Sequence, residues 1–166
     1  MAGFINQDRT KFYYFNAQMA GFLDYLEVNN FKSYRGTQRI GPFKRFSCII
    51  GPNGSGKSNL VDAISFVLGV KATHLRGSQL KDLIFRAEGE DEEIENAYVK
   101  LVYISGETET EFCRTISSTS KTISEFKLND QVVPWEAYNQ KLTELNIIVQ
   151  AKNFLVFQVK FAKLEI

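Results

Sequence analysis

The run Gly51-Pro52-Asn53-Gly54-Ser55-Gly56-Lys57-Ser58 constrains this 166-residue chain more than any other stretch. It fits G-x-x-x-x-G-K-[ST], the Walker A phosphate-binding loop. Glycines at 51, 54 and 56 let the backbone curl until several N–H groups point into one concavity, an anion nest. A helix beginning there adds the positive end of its dipole. Lys57 neutralises charge on terminal phosphates, and the Ser58 hydroxyl is suited to Mg²⁺. The surroundings agree with a strand–loop–helix unit. Residues 46–50 form an apolar run of strand length, predicted to be buried. Leu60, Val61, Ile64, Val67 and Leu68 follow at helical spacing, and Gly69 stands where a C-terminal cap belongs.

Composition sets the limits. A 44% hydrophobic and 13% aromatic chain has the means to build one folded domain with a sizeable core. Twenty basic and nineteen acidic residues leave a net charge of +1, which argues neither for nor against a nucleic-acid partner. The two cysteines, Cys48 and Cys113, and the single His74 offer no zinc spacing and no disulfide framework. A reduced intracellular setting is the simpler expectation. No run approaches the roughly 20 apolar residues of a membrane span.

Taken in order, residues 1–18 read as an extension outside the fold. The compact domain is expected over 19–158, with a divergent tail at 159–166. A strand is predicted over 22–31, with Leu26 and Val28 on one face, and a short second strand over 37–40, ended by Gly41-Pro42. Two strands ahead of the phosphate loop argue against a simple nucleoside kinase, which opens with that loop. Residues 71–82 suggest a loop and a short helical turn. Six acidic residues within 88–95 read as a solvated loop. Strands are predicted over 96–105, 109–117 and 122–128. Asn129-Asp130 suits a tight turn into 131–133. Pro134 then opens a helix whose Trp135, Tyr138, Leu142 and Leu145 form an apolar stripe. Residues 147–149 and 154–157 look like buried strand material.

These residues together resemble a known family. Phe31-Lys32-Ser33-Tyr34, Ile40-Gly41-Pro42-Phe43, the loop with Asn59-Leu60, and Asp62-Ala63-Ile64-Ser65-Phe66-Val67-Leu68-Gly69 look like the N-terminal half-head of a structural maintenance of chromosomes (SMC) protein. Ala151-Lys152-Asn153-Phe154-Leu155-Val156-Phe157-Gln158 is similar to that family's glutamine-loop region. Within the family, the residues look most like the cohesin type. The resemblance implies an α/β P-loop NTPase of ABC type, present as its N-terminal half, with a mixed sheet, flanking helices and a β-rich antiparallel part.

It also implies site residues. Gly51, Pro52, Asn53, Gly54, Ser55, Gly56, Lys57, Ser58 and Asn59 would cradle ATP, and Lys32 and Ser33 match nucleotide contacts. Ser58 and Gln158 would meet Mg²⁺, with Gln158 also orienting the attacking water. Arg76 matches an arginine loop linked to DNA-stimulated turnover. Read without the family, Lys32 and Ser33 are an ordinary hairpin turn, Gln158 a strand-end polar residue and Arg76 a solvated charge. The implied partners are a second SMC head, a kleisin subunit and DNA, and the implied location is the nucleus, on the chromosome. The family's signature motif, Walker B acid and switch histidine are not found in the sequence, so the chain is expected to be inactive alone. Two alternatives stand beside this reading. One is the head of another SMC-like protein, of condensin or DNA-repair type; the other is a truncated, non-enzymatic fragment that binds a partner.

Overall fold

The computed structural model describes residues 21–43, 47–75, 79–86 and 94–147. Its frame is a six-stranded antiparallel sheet in the order β2-β1-β3-β4-β5-β6. The strands are β1 (Phe22–Phe31), β2 (Tyr34–Ile40), β3 (Asn96–Ser105), β4 (Thr108–Ser118), β5 (Thr122–Leu128) and β6 (Gln131–Val133). Two helices, α1 (Lys57–Val67) and α2 (Trp135–Glu144), pack against it, with short 3₁₀ turns at Ala72–His74 and Leu80–Leu83. This is the β-rich antiparallel part of the expected architecture. The parallel strands of a mixed sheet do not occur among the described residues.

Side-chain alternation decides which face is covered. Leu26 and Val28 of β1, Ala97, Val99 and Leu101 of β3, and Phe112 and Ile116 of β4 share one face and are buried. They meet Leu60, Ala63, Ile64, Phe66 and Val67 of α1 in a single core, which also takes in Tyr138 and Leu142 of α2. The other face carries polar pairs: Tyr98 donates to Glu27 at 2.9 Å, and Lys100 lies 3.4 Å from Glu111. Asn129 and Asp130 both hold positive φ, 48° and 63°, as the two-residue β5–β6 hairpin requires.

The sequence reading and the structure part company at residues 46–50. Residues 47–50 form no strand and are exposed, Ile50 at 85% and Ile49 at 36%. A run this apolar is covered as a strand only when neighbours pair its backbone and shield both faces. None of the described residues supplies those neighbours. Ile147 likewise belongs to no strand. It is buried, and its N–H bonds the Leu142 carbonyl at 2.9 Å, closing the end of α2. The second strand begins at Tyr34, earlier than the sequence suggested. Residues 1–18, Phe46, Arg76, the acidic run through 93, residues 148–157, Gln158 and the tail at 159–166 lie outside the described residues.

Candidate nucleotide-binding site

The phosphate loop is built by glycine conformations. Gly54 and Gly56 hold φ of 85° and 86°, and Gly56 is the N-cap of α1. Because Gly56 has no side chain to bond the helix's first N–H groups, those donors stay aimed along the axis into the loop. A Cβ at Gly51 would fall 2.7 Å from the Ser55 Oγ, so a larger residue there requires the Ser55 hydroxyl to turn away. Lys57 donates from Nζ to the carbonyls of Gly51 and Pro52, both at 2.7 Å, which folds its ammonium along the loop. Asn53, Ser55 and Ser58 are exposed beside it. The arrangement fits a triphosphate with its Mg²⁺. It is a glycine cradle, a positive helix end, one ammonium and two hydroxyls, placed at adjoining positions.

The β1–β2 turn lies against this helix. Ser33 Oγ accepts from Asn59 Nδ2 at 2.7 Å, and the Tyr34 hydroxyl faces the Gly56 carbonyl at 3.5 Å. Burial raises the Tyr34 phenol above its ordinary range and keeps it a donor. Lys32 pairs with the Asp62 carboxylate and donates to the Leu75 carbonyl. An open groove of about 480 Å³ runs beside the turn, lined by Lys32, Ser33, Asn59, Asp82, Ile84 and Arg86. Of the residues singled out in the sequence, the structure therefore brings Lys32, Ser33 and positions 51–59 together, with Lys32 engaged by Asp62 and Leu75. Among the described residues, no group of three or more His, Cys, Asp or Glu is placed to hold a metal, and no helix is long and apolar enough to cross a membrane.

The far end of α1 is closed by Gly69, as its place in the sequence suggested, and by Arg114, which the sequence did not advertise. Gly69, at φ 93°, donates to the Phe66 carbonyl at 3.0 Å, and Val70 donates to Ser65 at 3.0 Å. This is the paired pattern of a glycine helix stop. Buried Arg114 donates through Nη1 to Phe66 at 3.0 Å and to Val70 at 2.9 Å, and through Nε to Ser124 at 3.1 Å. Desolvation lowers its guanidinium to about 10, and the cation sits over the Phe66 and Phe126 rings. The Tyr138 hydroxyl donates to Val67 at 2.7 Å, and burial pushes its pKa far upward.

The family model for the RecF/RecN/SMC N terminal domain matches residues 22–151. The chain belongs to this family. Over 136 residues it is 55% identical to structural maintenance of chromosomes protein 1 of Arabidopsis thaliana, covering 80% of this chain and 11% of that protein. The chain thus spans about a tenth of the length of the curated relatives it matches. Among solved structures, one comes from a study of the structural biochemistry of ATP-driven dimerization and DNA stimulated activation of SMC ATPases. It superposes with a TM-score of 0.71 at 31% identity, over 81% of this chain and 86% of that one. An SMC head bound to the C-winged helix domain of ScpA matches with a TM-score of 0.68 at 32% identity, over 77% of this chain and 41% of that one. The fold is that of the N-terminal part of an SMC head, a P-loop NTPase, as the motif and its strands implied.

Proposed function

We propose that the chain is the ATP-binding half of a cohesin-type SMC head and that residues 51–59 hold the triphosphate. The observation that carries this reading is the loop geometry: left-handed Gly54 and Gly56, a helix starting at Lys57, and the Lys57 ammonium lying along the cradle. Asn53 to Ser58 wrap the phosphates, Lys57 offsets their charge, and Ser58 is the Mg²⁺ ligand. Bound Mg²⁺ would supply charge neutralisation between the phosphates. Outside the described residues, Gln158 is assigned to Mg²⁺ and the attacking water, and Arg76 to DNA-stimulated turnover. The assembled protein would couple ATP binding and hydrolysis to head engagement and DNA entrapment in sister chromatid cohesion. Its partners are a second SMC head, a kleisin and DNA, on chromosomes in the nucleus. The likeness to a head solved with ScpA supports the kleisin assignment.

Titration of the purified chain with Mg²⁺-ATP tests the binding step. The expected result is micromolar binding, lost in Lys57→Ala; a folded sample that binds equally well with and without Lys57 refutes it. A second reading, partner binding without turnover, is favoured by the exposed Ile49 and Ile50 beside the loop. Saturable binding of an SMC partner head together with no phosphate release, with or without that head, would select it.

A further inference from the structure

The β1–β2 turn touches α1 at a regular interval. Tyr34 reaches Gly56, Ser33 reaches Asn59, and Lys32 reaches Asp62. Steps of three residues return to nearly the same helix face, so the turn lies lengthwise along one side of α1. Lys32 extends the tie in two further directions. Its Nζ donates to the Leu75 carbonyl, and its backbone N–H bonds the Leu83 carbonyl at 2.8 Å. The side chains of the pair are only 11% and 9% exposed, and Lys32 holds a left-handed φ of 50°. Such a backbone persists only where its surroundings fix it. Both acceptors engage the Lys32 ammonium in the structure, so the turn, α1 and residue 75 meet at one side chain.

We propose that Asp62 is a positioning residue for the phosphate loop. Through Lys32 it pins the β1–β2 turn and residue 75 to α1, so that the helix start keeps its aim. The proposal rests on the nucleotide reading above, yet it makes a claim about the first turn of α1 that is measurable without nucleotide.

The test compares the full chain with Asp62→Asn, Lys32→Met and the double variant. In Mg²⁺-ATP titrations each single change weakens binding by about tenfold or more, and the double variant is no weaker than the poorer single, as expected for residues acting as one unit. An Asp62→Asn chain that binds as tightly as the parent, or more tightly, overturns the proposal; it is the result expected if Asp62 merely competes with phosphate for Lys32. The second measurement is amide hydrogen exchange without nucleotide. The N–H groups of Asn59 and Leu60 bond Gly56 at 2.9 and 3.0 Å, while that of Leu68 bonds Ile64 at 3.1 Å. In Asp62→Asn the first two exchange about tenfold faster and the third is unchanged. Unchanged exchange at Asn59 and Leu60 overturns the proposal whether or not the chain binds ATP, and Lys32→Met decides the same point if Asp62→Asn fails to fold. A parent chain that binds no ATP defeats the nucleotide reading alone.

Discussion

Replacing Arg114 by methionine removes the cation that closes the far end of α1. Its three charge-assisted hydrogen bonds, between 2.9 and 3.1 Å, contribute about 2 kcal/mol each, or about 6 kcal/mol together. Against this stands the cost of burying the charge. The fall of the guanidinium from 12.5 to about 10, caused first by desolvation, corresponds to about 3 kcal/mol at about 1.4 kcal/mol per pH unit. Methionine recovers that cost and keeps some contact with the Phe66 and Phe126 rings. The Phe66 carbonyl retains the Gly69 N–H, whereas the Val70 carbonyl loses the guanidinium. Arg114→Met should therefore destabilise the fold by about 3 kcal/mol at pH 7. Urea unfolding followed by fluorescence reads this directly, because Trp135 is the single tryptophan and lies 5.0 Å from Phe126, ring to ring. A Met variant within about 1 kcal/mol of the parent would refute the reasoning, showing that the hydrogen bonds only offset the buried charge.

Tyr138→Phe keeps the ring contacts with Phe112 and Phe126 but loses the 2.7 Å bond to Val67, and should cost about 1.5 kcal/mol in the same assay. Gly69→Ala is expected to cost more, about 2–3 kcal/mol. Its φ is 93° and the new Cβ would lie 2.2 Å from the Trp135 ring, so the Trp135 emission of the folded state should shift as well. Burial raises Cys113 from 9.0 to about 11, so the folded thiol keeps its proton while the unfolded one ionises. This contribution to stability is full below pH 9 and falls between pH 9 and pH 11, by about 3 kcal/mol in all; Cys113→Ala should flatten that part of the alkaline decline in urea midpoints.

Local pattern carried most of the fold. Leu26 and Val28 marked the covered face of β1, and the spacing from Leu60 to Leu68 with Gly69 after it bounded α1. The phosphate loop was legible because its chemistry is contiguous in the chain. Residues 46–50 misled because an apolar run reports a preference for burial and says nothing of the strands needed to bury it. Arg114 stayed hidden for a related reason. A charge within a strand gives no hint of acceptors 44 to 48 residues earlier, which exist only once α1 has ended. The Lys32–Asp62 pair likewise joins positions 30 apart, so neither residue marks the other in the sequence.

The strand order also bears on how the chain leaves the ribosome. The hairpins linking β3, β4, β5 and β6 join neighbours in sequence, but β1 must wait for β3, since Asn29 pairs with Tyr98, 69 residues later. At about 5–20 residues per second, that wait is about 3–14 s. During it β1 has only β2 beside it, and a lone two-stranded hairpin is at best marginal in water. Leu26, Val28 and Phe31 are thus synthesised well before the strand that pairs beside them, and the phosphate loop is made inside that interval.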